Sequence, residues 1–330
     1  MADILVTGGA GFIGAHLCTR LWNEGHHVAC LDNFDPFYAP AIKQEHVRRL
    51  QQLAGTSGRF VYHEGDIRDT ALLQRLFQTT SFDLVIHLAA LAGVRPSIAR
   101  PVAYSEVNIQ GTLHLLECCR QYHVQQMLFG SSSSVYGARQ RVPFAEDDDV
   151  SLPVSPYAAT KRAGELLCYT YAHLHHLRIA CLRFFTVYGP YQRPDLAIHK
   201  FARLMLTGQP IPVFGDGTSQ RDYTYVDDIV EGMVRAWQWL QQPAQAEHAY
   251  EIFNLGGAHP VPLLRLIRLL ETALDCPAQL DWQPEQPGDV PRTYADLRKS
   301  TSMLGYCPQV DIATGIERFA TWFRAYYQSV

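Results

Sequence analysis

The stretch Ile4-Leu-Val-Thr-Gly-Gly-Ala-Gly-Phe-Ile-Gly14 decides how the rest of the chain is read. Apolar and β-branched residues run straight into a glycine-rich turn. An amphipathic pattern follows, with Ile13, Leu17 and Leu21 one helical turn apart. Strand, glycine turn and helix in that order form a dinucleotide-binding unit. Gly9, Gly11 and Gly14 fit G-x-G-x-x-G, and Gly8, Gly11 and Gly14 fit the wider variant G-x-x-G-x-x-G. Either register lets backbone approach a pyrophosphate, whose charge then sits at the N-terminus of the helix that Phe12 and Ile13 open.

Outward from this turn, Val28 to Leu31 reads as a second strand and ends on Asp32, near the ~20-residue distance expected for the acid that meets the adenosine ribose. A carboxylate there repels a 2′-phosphate, so NAD is expected over NADP. Phe60 to Tyr62, Leu84 to His87, Met127 to Phe129 and Ile179 to Leu182 continue the series of short buried strands, with helical patterns between them. Strands alternating with helices imply an α/β Rossmann fold, a doubly wound parallel sheet covered on both sides. Past Gly189 the pattern loosens into Pro- and Gly-rich loops, which implies a smaller C-terminal substrate-binding lobe. The expected division is residues 1–185, with a returning segment about 224–256, for the cofactor. Residues 186–223 and 257–330 then form the lobe. Val226 to Leu240 reads as a helix and Tyr250 to Asn254 as a strand that rejoins the sheet.

Bulk properties narrow the function. The chain has 330 residues, 47% hydrophobic and 18% charged, with a formal net charge of −4. That balance argues against sequence-independent nucleic-acid binding, which needs a basic surface. No apolar stretch reaches the roughly 18 residues needed to span a bilayer, and the first strand begins too close to Met1 to leave room for a signal peptide. A cytoplasmic protein is expected. Its eight cysteines are scattered without a C-x-x-C pair, which suits buried reduced thiols better than a disulfide frame or a zinc site. His173, His175 and His176 have no Cys or carboxylate at ligand spacing and read as a solvated helix face, not a metal site.

The chemistry is written further along. Tyr157-Ala-Ala-Thr-Lys161 places a phenol and an ammonium on one helix face. Ser155-Pro156 before it reads as N-cap and first helical residue. In that first turn the helix dipole, Lys161 and a nicotinamide cation would all favour phenolate and lower the Tyr157 pKa. Gly130-Ser-Ser-Ser-Ser-Val-Tyr-Gly137 follows a strand directly, so at least one of its hydroxyls is expected to face the ligand crevice.

With these residues in view, the sequence resembles the extended short-chain dehydrogenase/reductase family, whose members act on nucleotide sugars. Its landmarks run nearly the whole chain: Thr7 to Gly14, Gly65-Asp66-Ile67, His87-Leu-Ala-Ala90, Asn108, Ser131 to Gly137, Tyr157 with Lys161, Arg183 to Pro190 and Arg221 to Asp228. Within the family it is similar to the UDP-glucuronate 4-epimerases, through Asp32-Asn-Phe-Asp-Pro-Phe-Tyr38, Ala92-Gly-Val-Arg-Pro-Ser97 and Thr186 to Asp195.

The resemblance implies roles. Ser132, Tyr157 and Lys161 would be catalytic, with Ser133 and Ser134 beside the sugar. Asp66 and Ile67 would flank the adenine, and Asn33, Leu88, Ala89, Ala90 and Asn108 would complete the cofactor site. Arg221 and Arg292 would hold the diphosphate, Val213 and Phe214 would meet the uracil, and Arg95 would join the substrate site. Thr186 and Arg193 would read the sugar carboxylate. The related decarboxylases carry Glu where Ser134 stands and Asn where Thr186 stands. The 4,6-dehydratases carry Asp and Glu where this chain has Ser133 and Ser134. NAD-dependent epimerisation at carbon 4, of UDP-glucuronate to UDP-galacturonate, is therefore the reaction that the resemblance implies. A 4-epimerase for a neutral UDP-hexose, a UDP-glucuronate decarboxylase and a non-catalytic NAD-sensing module are the competing readings. Family members pair as homodimers through the helices after Pro101 and after Pro156, which carry surplus apolar residues including Leu113, Leu116, Leu167 and Tyr171.

Overall fold

Ile4 and Val6 of the first strand point to one face of a sheet and Leu5 to the other, and all three are fully buried. A strand apolar on both sides needs cover on both sides, which is the condition of a parallel sheet between helical layers. The computed structural model, which describes residues 1–55, 58–243, 250–285 and 290–328, has that arrangement.

The chain begins β1 (Asp3–Thr7), α1 (Phe12–Asn23), β2 (His27–Asp32), α2 (Pro40–Ala54), β3 (Phe60–Glu64), α3 (Thr70–Thr79) and β4 (Leu84–His87). It continues through α4 (Val94–Ala99), α5 (Pro101–Ser105), a π-helical turn (Glu106–Gly111), α6 (Thr112–Gln121), β5 (Gln126–Ser132), α7 (Pro156–His175) and β6 (Arg178–Phe184). Then come β7 (Thr186–Tyr188), α8 (Ala197–Leu206), β8 (Ile211–Phe214), β9 (Gln220–Tyr225), α9 (Val226–Leu240) and β10 (Tyr250–Leu255). The last elements are β11 (Pro260–Pro262), α10 (Leu263–Leu274), β12 (Leu280–Gln283), α11 (Arg298–Leu304) and α12 (Ile312–Gln328).

Seven strands pair in parallel in the order β10-β6-β5-β4-β1-β2-β3. The expected return of the chain to the sheet is β10, at the edge beside β6. Helices α1, α2 and α9 cover one face, and α3, α6 and α7 the other. Two small sheets, β11-β9-β7 and β12-β8, carry the remainder. Among the described residues, their buried apolar side chains belong to the main core. The cluster that contains Ile4 and Leu17 runs without a break through Tyr188, Phe201, Leu266 and Phe323. Strand β9 begins at Gln220, so the segment expected to return near 224 starts inside a strand of the small sheet. Residues 244–249 of that segment lie outside the described residues.

The surplus apolar residues sort differently from expectation. Leu116 and Tyr171 belong to the core under α6 and α7, and Leu113 and Leu167 pack half-buried against it. Val102, Leu166, Tyr169 and Leu174 are the exposed ones. His173, His175 and His176 lie at the exposed end of α7 and just beyond it, as a solvated face requires. Among the described residues no helix is long and apolar enough to cross a membrane.

One buried side chain gives the fold a pH dependence. His87, at the end of β4, accepts from the Thr7 hydroxyl at Nδ1 (2.8 Å) and donates to the Thr112 hydroxyl from Nε2 (2.9 Å). The Thr112 hydroxyl donates its own proton to the Asn108 carbonyl, which fixes those roles. Burial, with Lys161 adding to it, pushes His87 down from 6.5 to about 3. The unfolded chain takes up a proton at about 6.5 and the folded one does not. This contribution is complete above pH 6.5 and is lost as pH falls toward the folded value, with a slope of up to about 1.4 kcal/mol per pH unit. Thermal unfolding at pH 8, 6 and 5 should therefore show wild type losing more stability between pH 6 and 5 than His87→Gln does. Parallel curves for the two proteins would contradict the assignment.

Candidate active site

The sheet order turns back between β1 and β4, and a cavity of about 380 Å³ opens at their carboxyl ends. Open α/β sheets place ligands at this position. Two glycines allow the turn after β1 to close there. Gly8 has φ +70°, and a Cβ on it would lie 2.6 Å from the Ala89 amide nitrogen. A Cβ on Gly14 would lie 2.3 Å from the Gly8 carbonyl oxygen. Gly11 begins α1 and faces the cavity, while Gly9 packs on the Cys30 and Cys18 sulfurs outside it. Of the two glycine registers, Gly8, Gly11 and Gly14 is the one that lines the cavity.

Phe12, Ile13, Asp32 and Asn33 form the wall beside this turn, and Asp66 and Ile67 join it, the Asn33 amide donating to Asp66 at 2.8 Å. Leu88, Ala89 and Ala90 continue the wall from the end of β4. A glycine-lined helix N-terminus with an acid at the end of β2 fits the pyrophosphate and ribose of a dinucleotide. Lys43, which the sequence reading missed, modifies that picture. It is buried, lines the same wall, and sets its ammonium 3.6 Å from Asp32. Burial pushes Asp32 up, while Lys43 and the backbone N–H groups of Phe34 and Ala10 oppose it. The acid is thus half of an ion pair, so selection against a 2′-phosphate is not a matter of bare repulsion. A lone lysine inside the amphipathic pattern of α2 gives no signal that it turns inward.

The opposite wall holds the reactive groups. Ser155 caps α7, its hydroxyl accepting from the Ala158 N–H (3.1 Å), and Pro156 takes the first turn as expected. Tyr157 and Lys161 then face the cavity together with Ser132, Ser133 and Ser134 at the end of β5. Lys161 donates to the Gly130 carbonyl (2.6 Å), and burial draws its pKa down to about 8. Burial acts on Tyr157 as well. Its pKa is raised, because burial outweighs the opposing hydrogen bond with Ser132 and the positive charge of Arg193. Burial moves phenol and ammonium alike toward neutrality. Thr186, at the start of β7, and Arg193 complete this wall.

Several expected ligands lie outside this cavity. Asn108 stands behind the wall and is buried. Its amide accepts from the Leu91 N–H (2.8 Å) and donates to the Leu91 carbonyl (2.9 Å) and the Thr160 hydroxyl (3.0 Å). Every polar atom of its side chain is thus occupied by the protein, so as a cofactor contact it is corrected to a support. Arg95, Val213, Phe214, Arg221 and Arg292 do not line the cavity either. Arg95 stacks on the Phe214 ring at 4.9 Å, joining α4 to β8. The Val213 side chain is fully buried, which leaves only its backbone to offer. Arg221 is on β9, and Arg292 is brought beside that strand by an isolated bridge to Gln220.

Two buried networks hold the reactive wall in place. Glu165 on α7 receives Arg183 of β6 in a two-pronged bond, Nε to Oε1 at 2.8 Å and Nη2 to Oε2 at 2.9 Å. The Ser131 hydroxyl donates to the same Oε1 (2.6 Å). Burial pushes Glu165 up, but Arg183 and Ser131 overcome it and hold the carboxyl below its usual range. The second network passes from Thr7 through His87 and Thr112 to Asn108, then to Thr160, whose hydroxyl donates to the Tyr157 carbonyl (2.9 Å).

The sequence matches the NAD dependent epimerase/dehydratase family over residues 4–256. It is 42% identical to UDP-glucuronate 4-epimerase 4 of Arabidopsis thaliana over 98% of this chain and 76% of that protein. Its structure is similar to that of UDP-glucuronic acid 4-epimerase from Bacillus cereus in complex with UDP-glucuronic acid and NAD. The TM-score is 0.90 at 37% identity, over 98% of this chain and 100% of that one. A UDP-glucose 4-epimerase from Thermotoga maritima with UDP-glucose is similar at TM-score 0.88 and 30% identity, over 98% of this chain and 99% of that one.

Removing one partner of a buried ion pair strands the other charge at a cost of about 3–5 kcal/mol. Glu165→Gln should lower the unfolding free energy by that order, as urea denaturation would measure. Arg183→Met in the same background should recover part of the loss. A single variant as stable as wild type would show that the pair does not hold α7 to the sheet.

Proposed function

The chain belongs to the NAD dependent epimerase/dehydratase family, and from that premise we propose that it interconverts UDP-glucuronate and UDP-galacturonate by inverting carbon 4 of the sugar. The convergence of Tyr157, Ser132, Thr186 and Arg193 on one cavity carries this reading. The likeness to a UDP-glucuronic acid 4-epimerase complexed with its sugar nucleotide and NAD supports it.

The cofactor is NAD, held on Gly8, Gly11 and Gly14 with Asp32 at the adenosine ribose and Asn33, Asp66 and Ile67 toward the adenine. When bound, NAD supplies reversible hydride acceptance at carbon 4. Tyr157 takes the proton of the 4-hydroxyl, and the Ser132 hydroxyl holds the same oxygen. Lys161 keeps positive charge beside the phenol. The 4-keto sugar turns over within the cavity, and Tyr157 returns the proton after reduction of the other face. Thr186 and Arg193 read the sugar carboxylate. Ser133 and Ser134 bring no second carboxylate to the keto sugar, which favours retention of its own carboxyl over loss as carbon dioxide. Arg221 and Arg292 hold the diphosphate, while Arg95, Phe214 and the Val213 backbone meet the uridine.

We divide the chain as 1–185 with 224–256 for the cofactor, and 186–223 with 257–330 for the sugar nucleotide. Two copies pair through α5, α6 and α7, where exposed Val102, Leu166 and Tyr169 support an apolar contact. All eight cysteines are free thiols, which supports a cytoplasmic enzyme.

Incubation with UDP-glucuronate followed by chromatography should yield an isomer. A pentose with carbon dioxide, or no product, would overturn the assignment. Tyr157→Phe should lose about 10²–10⁴-fold in kcat, the range of general acid–base groups, and still bind NAD. A variant within tenfold of wild type would mean another group moves the proton.

Substrate choice has its own test. Sites built for a polar group discriminate against analogues that leave their donors unpaired. The unmodified enzyme should therefore prefer UDP-glucuronate to UDP-glucose by kcat/KM, and Arg193→Ala should cut that preference about 10²-fold. Equal kcat/KM for the two sugars in wild type would favour the neutral-sugar epimerase instead.

A further inference from the structure

Arg193 alone does not define a carboxylate receptor, because a free arginine side chain can aim its guanidinium in many directions and loses that freedom on binding. Here two neighbours remove it beforehand. Asp195 takes Nε at 3.0 Å (Oδ1) and Nη2 at 2.8 Å (Oδ2), a two-pronged bond lying in the plane of the guanidinium. Phe37, from the loop after β2, lies under the guanidinium carbon at 5.3 Å from its ring centre and so restrains the tilt of that plane.

The arrangement has a direction. Arg193 lines the cavity and Asp195 does not, and their side chains are 19% and 38% exposed. Asp195 therefore grips the guanidinium from the solvent side. It occupies the Nε–Nη2 edge, which leaves the edge formed by Nη1 and the second N–H of Nη2 for an incoming carboxylate. An arginine can serve two carboxylates at once in this way, one on each edge. Asp195 also compensates the charge of Arg193 while raising its pKa against the effect of burial.

We infer that Asp195 and Phe37 are the positioning residues that turn Arg193 into a prearranged receptor for the sugar carboxylate, and so set the preference for an acidic over a neutral sugar. The inference rests on the reading of Thr186 and Arg193 as the carboxylate-binding pair. Neither Asp195 nor Phe37 acts on the reacting atoms, so the effect falls on selection and not on the chemical step. Phe37 ties that selection to the loop that also carries Asn33 and Tyr38 on the cofactor wall.

The test compares kcat/KM for UDP-glucuronate and UDP-glucose in Asp195→Asn, Asp195→Glu and Phe37→Leu, with the melting temperature of each variant recorded. Asp195→Asn sets an amide N–H against a guanidinium donor. It should lower the preference for UDP-glucuronate about tenfold, mainly through KM, as the loss of one charge-assisted bond worth about 1.4 kcal/mol requires. Asp195→Glu should restore part of the preference, and Phe37→Leu should lower it in the same direction. If Asp195→Asn fails to fold, Phe37→Leu carries the measurement. An equal loss on both sugars, tracking the melting temperature, would reduce both residues to structural roles and overturn the inference. An unchanged preference in Asp195→Asn and Phe37→Leu would overturn it too. Arg193→Ala separates the two levels. If it also leaves the preference unchanged, the carboxylate reading has failed; if it lowers the preference while the other variants do not, only this inference has.

Discussion

The buried pair between Glu165 and Arg183 is the constraint on which the reactive side of the cavity depends. Lone charges at 0% and 1% exposure would be prohibitive, and the geometry makes them tolerable by giving each carboxylate oxygen a guanidinium hydrogen. Three elements meet at that carboxylate: α7 through Glu165 itself, β6 through Arg183, and the end of β5 through Ser131. Tyr157 and Lys161 precede Glu165 on the same helix, and Ser132 follows Ser131 on the same strand. Fixing one carboxylate therefore fixes the spacing between the phenol, the ammonium and the serine hydroxyl. Tyr136 extends the anchorage, since Arg183 stacks on its ring at 4.8 Å and its hydroxyl donates to Asn254 on β10 (2.7 Å).

Much of this was legible in the sequence, for a physical reason. Parallel strands buried on both faces must be apolar throughout, so Ile4 to Val6, Leu84 to Ile86 and Ile179 to Leu182 identify themselves. The glycine turn and the Ser155-Pro156 start of α7 are local devices, and local devices can be read locally. What escaped the reading depends on contacts between distant segments. Lys43 looks like any helical lysine until α2 is packed beside β2. Asn108 looks like a cofactor ligand until its amide is seen to be spent on Leu91 and Thr160. Leu116 and Tyr171 carry no mark that separates a core-facing residue from an interface-facing one.

Burial also explains why the cavity depends on charges set in pairs. Lys43 faces Asp32 on the wall beside the glycine turn. Arg193 faces Asp195 nearby, and each cation also lies near an aromatic ring, Tyr38 and Phe37 respectively. Both rings come from the loop after β2, so one short segment conditions both ion pairs. Paired ions of this kind hold their positions without giving the crevice a large net charge, and position is what selects between closely similar ligands.

The path from Thr7 through His87, Thr112, Asn108 and Thr160 to the Tyr157 carbonyl has an implication for descent. Thr7, His87 and Thr112 satisfy one another through their side chains, so a change at one of these would leave a buried polar atom on its neighbour without a partner, while the bonds to Asn108 and Tyr157 end on backbone carbonyls. Such sites cannot drift singly. They should be inherited as a block, and lineages that replace one should have replaced several. Across distant relatives, that block would be a better marker of common ancestry than the tyrosine–lysine spacing, which any exposed helix can produce by chance.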